Sequence, residues 1–143
     1  MDYTSVSSLQ KKTMVIPAAQ LATLATSPIV LFAQTLNNLI LPINCTFYFP
    51  ALTGTGSVPM QVYNDILGPG TPENSFFILD PTGITDNRAV VLCSTSAAIT
   101  GGAFAANNLN ASSNIVLGAG FNDSNLSNLG DLHLTIYYFN LKP

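Results

Sequence analysis

Between positions 39 and 49 the chain alternates: Leu39, Leu41, Ile43, Cys45, Phe47 and Phe49 fall on one parity, and Asn38, Asn44, Thr46 and Tyr48 on the other. A period of two marks a pleated strand, whose successive side chains leave on opposite faces. The segment is expected to bury its odd face and to present the even one to solvent or a partner. Pro42 cannot donate a ladder hydrogen bond, which suits a sheet edge or a bulge. The last stretch, 131–141, also alternates, with Leu132, Leu134, Ile136 and Tyr138 on one face and His133, Thr135, Tyr137 and Phe139 on the other. Both faces turn apolar toward its end, so the second face is expected to meet another sheet or another chain.

Shorter apolar runs at 13–16, 29–33, 60–63, 76–79, 89–93 and 115–117 read as further strands, with a weaker one at 99–106. Turn residues separate them: Pro17, Ser27-Pro28, the Gly-rich 54–57 and 67–72, and Asp80-Pro-Thr-Gly83. One helical turn is expected over 18–24, and a long Asn-rich loop over 121–130. About eight or nine short strands at this spacing predict an all-β domain, a two-sheet antiparallel β-sandwich of jelly-roll type. Residues 1–12 are polar and without period, which predicts an extended N-terminal arm ahead of a single domain over 13–143.

Composition adds a second expectation. Charged residues are 8% of the chain, against about a quarter in ordinary soluble domains. None occurs between Lys12 and Asp65 or between Arg88 and Asp123. Surfaces this neutral are expected to be covered by core or by neighbouring subunits, so a homo-oligomer is predicted. A net charge of −3 with four basic residues offers no clustered cations for direct nucleic-acid binding. No apolar run is long enough for a membrane span, and the N-terminus lacks the order of a secretory signal, which predicts synthesis in a cytoplasm. Cys45 and Cys93 lie in apolar runs and are expected to be buried free thiols rather than a disulfide.

The inventory of chemistry is thin. His133 is the one histidine, too few for a zinc site, and the cysteines lack thiolate-pair spacing. Asp131 and His133 share a strand parity without a nucleophile elbow beside them. The glycine pairs of 54–56 and 68–70 precede no Lys-bearing helix and read as turns, not phosphate cradles. Asp80, Asp86, Asp123 and Asp131 sit among Pro, Gly and Asn, as turn-capping acids do. No enzyme activity, cofactor or metal is therefore predicted. What remains is aromatic surface, with Tyr48, Tyr137 and Phe139 as candidate interface residues.

Two stretches carry a family resemblance: Thr13-Met-Val-Ile-Pro-Ala-Ala-Gln-Leu-Ala-Thr-Leu-Ala-Thr-Ser-Pro-Ile-Val-Leu near the start, and Asn114-Ile-Val-Leu-Gly-Ala with Gly130-Asp-Leu-His-Leu-Thr-Ile-Tyr-Tyr near the end. They resemble the opening strand, Ser-Pro turn and closing aromatic strand of small jelly-roll structural proteins of tailed bacteriophages. The resemblance covers about a third of the chain and leaves 51–110 unassigned. It implies a capsid decoration (cement) protein that sits on the virion head as a trimer and fastens the major capsid protein. Lys11 and Lys12, in a clasping arm, would then join the interface. The alternative is a tail or fibre adhesin that binds host glycans through the loops 107–114 and 121–128.

Overall fold

Strand-forming runs separated by Pro and Gly give a chain with little helix, as the computed structural model shows over the residues it describes: 5–35, 37–65, 75–84, 89–93 (backbone only) and 114–142. The strands are β1 (Ser5–Val6), β2 (Gln10–Ile16), β3 (Ile29–Phe32), β4 (Leu39–Tyr48), β5 (Met60–Asn64), β6 (Ser75–Leu79), β7 (Ala89–Cys93), β8 (Ile115–Ala119) and β9 (Leu132–Lys142). A helical turn, α1 (Ala18–Leu21), and two 3-10 segments, Pro81–Gly83 and Ser124–Leu129, complete the described elements. The strand expected over 99–106 lies outside the described residues.

The strands form two antiparallel sheets, a β-sandwich. One has the order β1/β2–β9–β4–β7 and the other β3–β8–β5–β6. The pairings are nested: β2 with β9, β3 with β8, β4 with β7 and β5 with β6. The chain thus runs as one long hairpin whose successive strand pairs alternate between sheets, and it is rolled so that β4 lies on β9 and β5 on β8. Phe47, Phe49, Phe76, Phe77, Leu117 and Leu134 belong to the single apolar cluster buried between the sheets. Burying each such side chain stabilises the fold by about 1.5–3 kcal/mol.

One sequence expectation is sharpened here and two are corrected. The arm expected over 1–12 is, from Ser5 onward, laid along β9: Ser5 pairs with Lys142, and Gln10 with Tyr138. The expected boundary at 12/13 falls inside β2. Backbone pairing overrides the polar composition, because an edge strand needs a ladder more than it needs apolar side chains. Between β1 and β2, the Ser7 N–H donates to the Asn140 carbonyl and the Asn140 N–H to the Ser7 hydroxyl, and Asn140 Nδ2 donates to Gln10 Oε1 at 3.1 Å.

Second, the alternation of β4 is interrupted. The register against β9 shifts between Pro42 and Asn44, so Ile43 is the extra residue of a bulge and is 37% exposed. Ile40 faces the core before it, and Cys45, Phe47 and Phe49 after it; the odd parity is therefore inward only from Cys45 on. Pairing with β7 begins at Asn44, so Pro42 sits where β4 has one described strand neighbour, as its missing N–H requires.

Third, the Asn-rich loop of 121–130 is ordered. Asp123 caps its 3-10 segment by accepting from the Asn125 N–H at 2.9 Å, and Leu126 and Leu129 are fully buried. The segment also stitches two other loops. Asp123 Oδ2 accepts from the Ser57 N–H and hydroxyl and from the Val58 N–H, while Asn122 Oδ1 accepts from the Ala25 and Thr26 N–H groups. Asp131 Oδ1 likewise accepts from the Ala18 N–H, and Asp65 Oδ1 from that of Asn114. In this charge-poor chain these carboxylates join distant backbone segments.

The segment ends at Gly130, with φ 75° and ψ −166°, a region that is essentially glycine-only. A Cβ there would also stand 2.6 Å from the Ala51 carbonyl oxygen. Gly130→Ala is expected to destabilise the fold by about 2–3 kcal/mol, read as a lower urea midpoint.

The Ser57 N–H beside Asp123, with further bonds from Asn125, the Ser57 hydroxyl and Val58, holds its carboxyl below the usual value. A depressed folded-state pKa gives stability that is present above the unfolded pKa near 3.9 and is lost as pH falls through the folded value. Urea midpoints measured from pH 7 to pH 2 are expected to drop across that acid window. Asp123→Asn, which lacks the anion, is expected to be less stable at pH 7 by about 1–3 kcal/mol and to show a flatter acid limb.

Candidate functional site: the outer face of the β2–β9–β4 sheet

The two sheets differ in what covers their outer sides. In the β3–β8–β5–β6 sheet every residue of β5 and β8 is buried. Tyr63 is 3% and Val116 2% exposed, although one face of those strands points away from the core. Tyr63 lies across Gly118, where a Cβ would come within 2.4 Å of its hydroxyl. Polar atoms there are paired: Ser75 Oγ donates to Gln61 Oε1 at 3.0 Å, and Gln34 Nε2 to Asn64 Oδ1 at 3.1 Å. Burial, followed by the charge of nearby Asp65, raises the Tyr63 hydroxyl's pKa. Along β5 and β8 that side is covered, while Val30 of β3 stays 51% exposed; the broader run of exposed described residues lies on the other sheet.

Strand register orders the surface of that sheet into rows. Val15, His133 and Tyr48 lie side by side across β2, β9 and β4, followed by Thr13, Thr135 and Thr46, then Lys11, Tyr137 and Asn44. Beyond the bulge come Phe139 with Leu41, and Leu141 between Val6 and Leu39. One half of the face is thus aromatic and hydroxylated, the other aliphatic and aromatic. Lys11 is the one charge in these rows. Asn44 Oδ1, in the middle row, is covered and has no hydrogen-bond partner.

The first half is concave. Thr13, Val15, Thr46, Tyr48, His133 and Thr135 line a shallow groove of about 680 Å³. The Tyr48 and His133 rings meet edge to face at 5.9 Å and 68°, and Tyr48 keeps 41% of its surface exposed. At the other half Val6 is 61% exposed and Leu9, in the link from β1 to β2, 55%. Leu41, Tyr137, Phe139 and Leu141 are half-buried there.

The five residues read from sequence as an interface therefore separate. Lys11, Tyr48, Tyr137 and Phe139 share the outer face. Lys12 does not: its ammonium reaches across the edge of the sandwich, donates to the Leu31 carbonyl and lies 4.9 Å from the Phe32 ring centre. Phe32 in turn stacks edge-on against Tyr138 at 4.7 Å. Adjacent strand residues point to opposite faces, so the two lysines could not act together. Lys12 clasps one sheet to the other at the edge where β2 and β3 have no further strand among the described residues, a place where lysine also discourages edge pairing.

The remaining chemistry is structural. Cys45 is a free thiol at 0% exposure, and burial pushes its pKa up, so it is held protonated and unreactive. The Cys93 side chain lies outside the described residues, as do Asp86 and the candidate glycan loop 107–113. In the other candidate loop, Asn122 and Asp123 are engaged with neighbouring segments, and Phe121 is 75% exposed. Thr82, through its backbone N–H and then its hydroxyl, lowers the pKa of Asp80. Among the described residues no group of three or more His, Cys, Asp or Glu could hold a metal ion, and no helix is long and apolar enough to cross a membrane. The chain matches no protein-family model, no curated protein and no solved structure.

The division of the lysine pair is directly testable. Lys12→Ala removes a charge-assisted hydrogen bond and is expected to cost about 1.5–3 kcal/mol, whereas Lys11→Ala should stay within about 0.5 kcal/mol of the parent. Equal thermal midpoints for the two variants would contradict the clasp.

Proposed function

We propose that this chain is a structural protein of a virus particle, a capsid decoration (cement) protein that associates as an oligomer and fastens major capsid subunits from the outer surface of the head. The observation that carries the reading is the partly exposed aliphatic and aromatic half of the outer sheet face, from Lys11 and Tyr137 to Phe139, Leu41, Leu141 and Val6. Contiguous apolar surface with few charges has the composition of an interface core.

The nested strand pairing supports a jelly roll, an architecture that recurs in capsid proteins. Fold alone does not specify function, so the weight rests on the surface and on the resemblance of the chain's two ends to small jelly-roll structural proteins of tailed bacteriophages. A trimer is the oligomer this resemblance implies. The N-terminal segment contributes differently from a free clasp: residues 5–12 are already bonded along β9, and they frame the apolar half with Val6 and Leu9.

Purified protein is expected to run as an oligomer, a trimer on the proposed reading, in light scattering. Replacing Leu41 and Phe139 together by Ser should release folded monomers that no longer bind heads lacking the decoration layer. Persistence of the parent as a monomer at high micromolar concentration, together with parent-like head binding by the double variant, would defeat the proposal. Copy number on purified particles separates hundreds, as cement requires, from the handful of an adhesin.

A further inference from the structure

The opposite half of the same face has a different chemistry, and nothing in the assembly reading uses it. The groove floor is built from three neighbouring strands, so its side chains are spaced and aimed by the backbone ladder rather than by loops. Thr13, Thr46 and Thr135 form a row of hydroxyls across β2, β4 and β9, and His133 with Tyr48 forms the next row. The six side chains include no Asp, Glu, Lys or Arg. None of these six side chains would supply a counter-charge to a phosphate, a carboxylate or a peptide terminus, Lys11 standing one row away, and an aliphatic ligand would strand the hydroxyls. A ligand carrying both an apolar ring face and many neutral hydroxyl groups satisfies both parts.

We propose that the groove binds a neutral carbohydrate, with one pyranose ring laid against Tyr48 and its hydroxyls bonded to His133 and to the Thr46 and Thr135 side chains. Tyr48 offers 41% of its surface as a platform. The edge-to-face contact with His133 at 5.9 Å restrains that ring before binding, which lowers the ordering cost of association. Threonine and the imidazole each donate or accept, as sugar hydroxyls require. The volume of about 680 Å³ lies within the range of small-ligand sites. The site is shallow and one-sided, so single-site affinity is weak, and an oligomer would raise it by presenting several grooves to one glycan-coated surface. A head-surface protein with this groove would hold a particle loosely against a carbohydrate layer. The groove is separate from the proposed assembly surface, so either proposal can fail alone.

The test applies the full chain to an array of immobilised neutral oligosaccharides ending in glucose, galactose, mannose and N-acetylglucosamine, with sialylated and sulfated glycans alongside. Binding to at least one neutral member is expected, followed on titration by amide shifts at Thr46, Tyr48, His133 and Thr135 in the parent protein. Tyr48→Ala should weaken that member about tenfold or more, equivalent to at least roughly 1.4 kcal/mol, while Tyr48→Phe keeps most of the affinity. Thr135→Val provides a second, nearly isosteric variant with a similar direction of effect. Binding to none of the neutral glycans, binding to the acidic ones alone, shifts confined to other parts of the chain, or parent-like affinity in folded Tyr48→Ala each overturns the proposal.

Discussion

The fold depends on β9. Its eleven residues, Leu132–Lys142, bond on one side to β1 and β2 and on the other to β4, so the first, third and last parts of the chain meet in one ladder. A strand paired on both edges must satisfy its backbone twice over, and that fixes its register against both neighbours. With the register set, Leu132, Leu134 and Ile136 go to the core, and every alternate residue goes to the outer face. The same ladder thus builds the interior and aligns the surface rows.

Two constraints shape what surrounds this ladder. The bulge at Ile43 moves β4 by one residue, so core-facing side chains change from even to odd parity within a single strand. Without it, either Ile40 or the later pair Phe47 and Phe49 would face away from the interior. The second constraint is the scarcity of charge. Where many proteins join loops through ion pairs, Asp65, Asp123 and Asp131 accept from backbone N–H groups distant in sequence, and one lysine bonds a backbone carbonyl across the sandwich edge. Such charge-assisted bonds are among the stronger hydrogen bonds.

The asymmetry between the sheets links this architecture to function. Among the described residues, Tyr63, Gln61 and Val116 are covered on one side, while Val6, Val15 and Tyr48 are exposed on the other. There the rows divide into an aliphatic half suited to protein contact and a hydroxylated aromatic half suited to a polar ring. One strand ladder places both within a single face, with Tyr137 and Asn44 at the boundary.

The sequence by itself determined the local elements. Alternation in β4 and β9, the apolar runs of β3, β5, β6, β7 and β8, and the Pro and Gly breaks specify strands, because side-chain period and turn chemistry are properties of neighbouring residues. It also separated the two faces of β9, and it offered Pro42 as a sheet edge or a bulge, next to which the register shifts. Tertiary structure decided the rest. Residues 5–6 and 10–12 became strand because β9 offered an unpaired edge, which no local pattern encodes. The stretch 121–130 became a packed 3-10 segment because Leu126 and Leu129 found the core and Asp123 found Ser57 from 66 positions away. Lys11 and Lys12 are adjacent in sequence yet serve opposite faces, and which face was free depended on how the second sheet was covered, a long-range fact that the order of residues does not display.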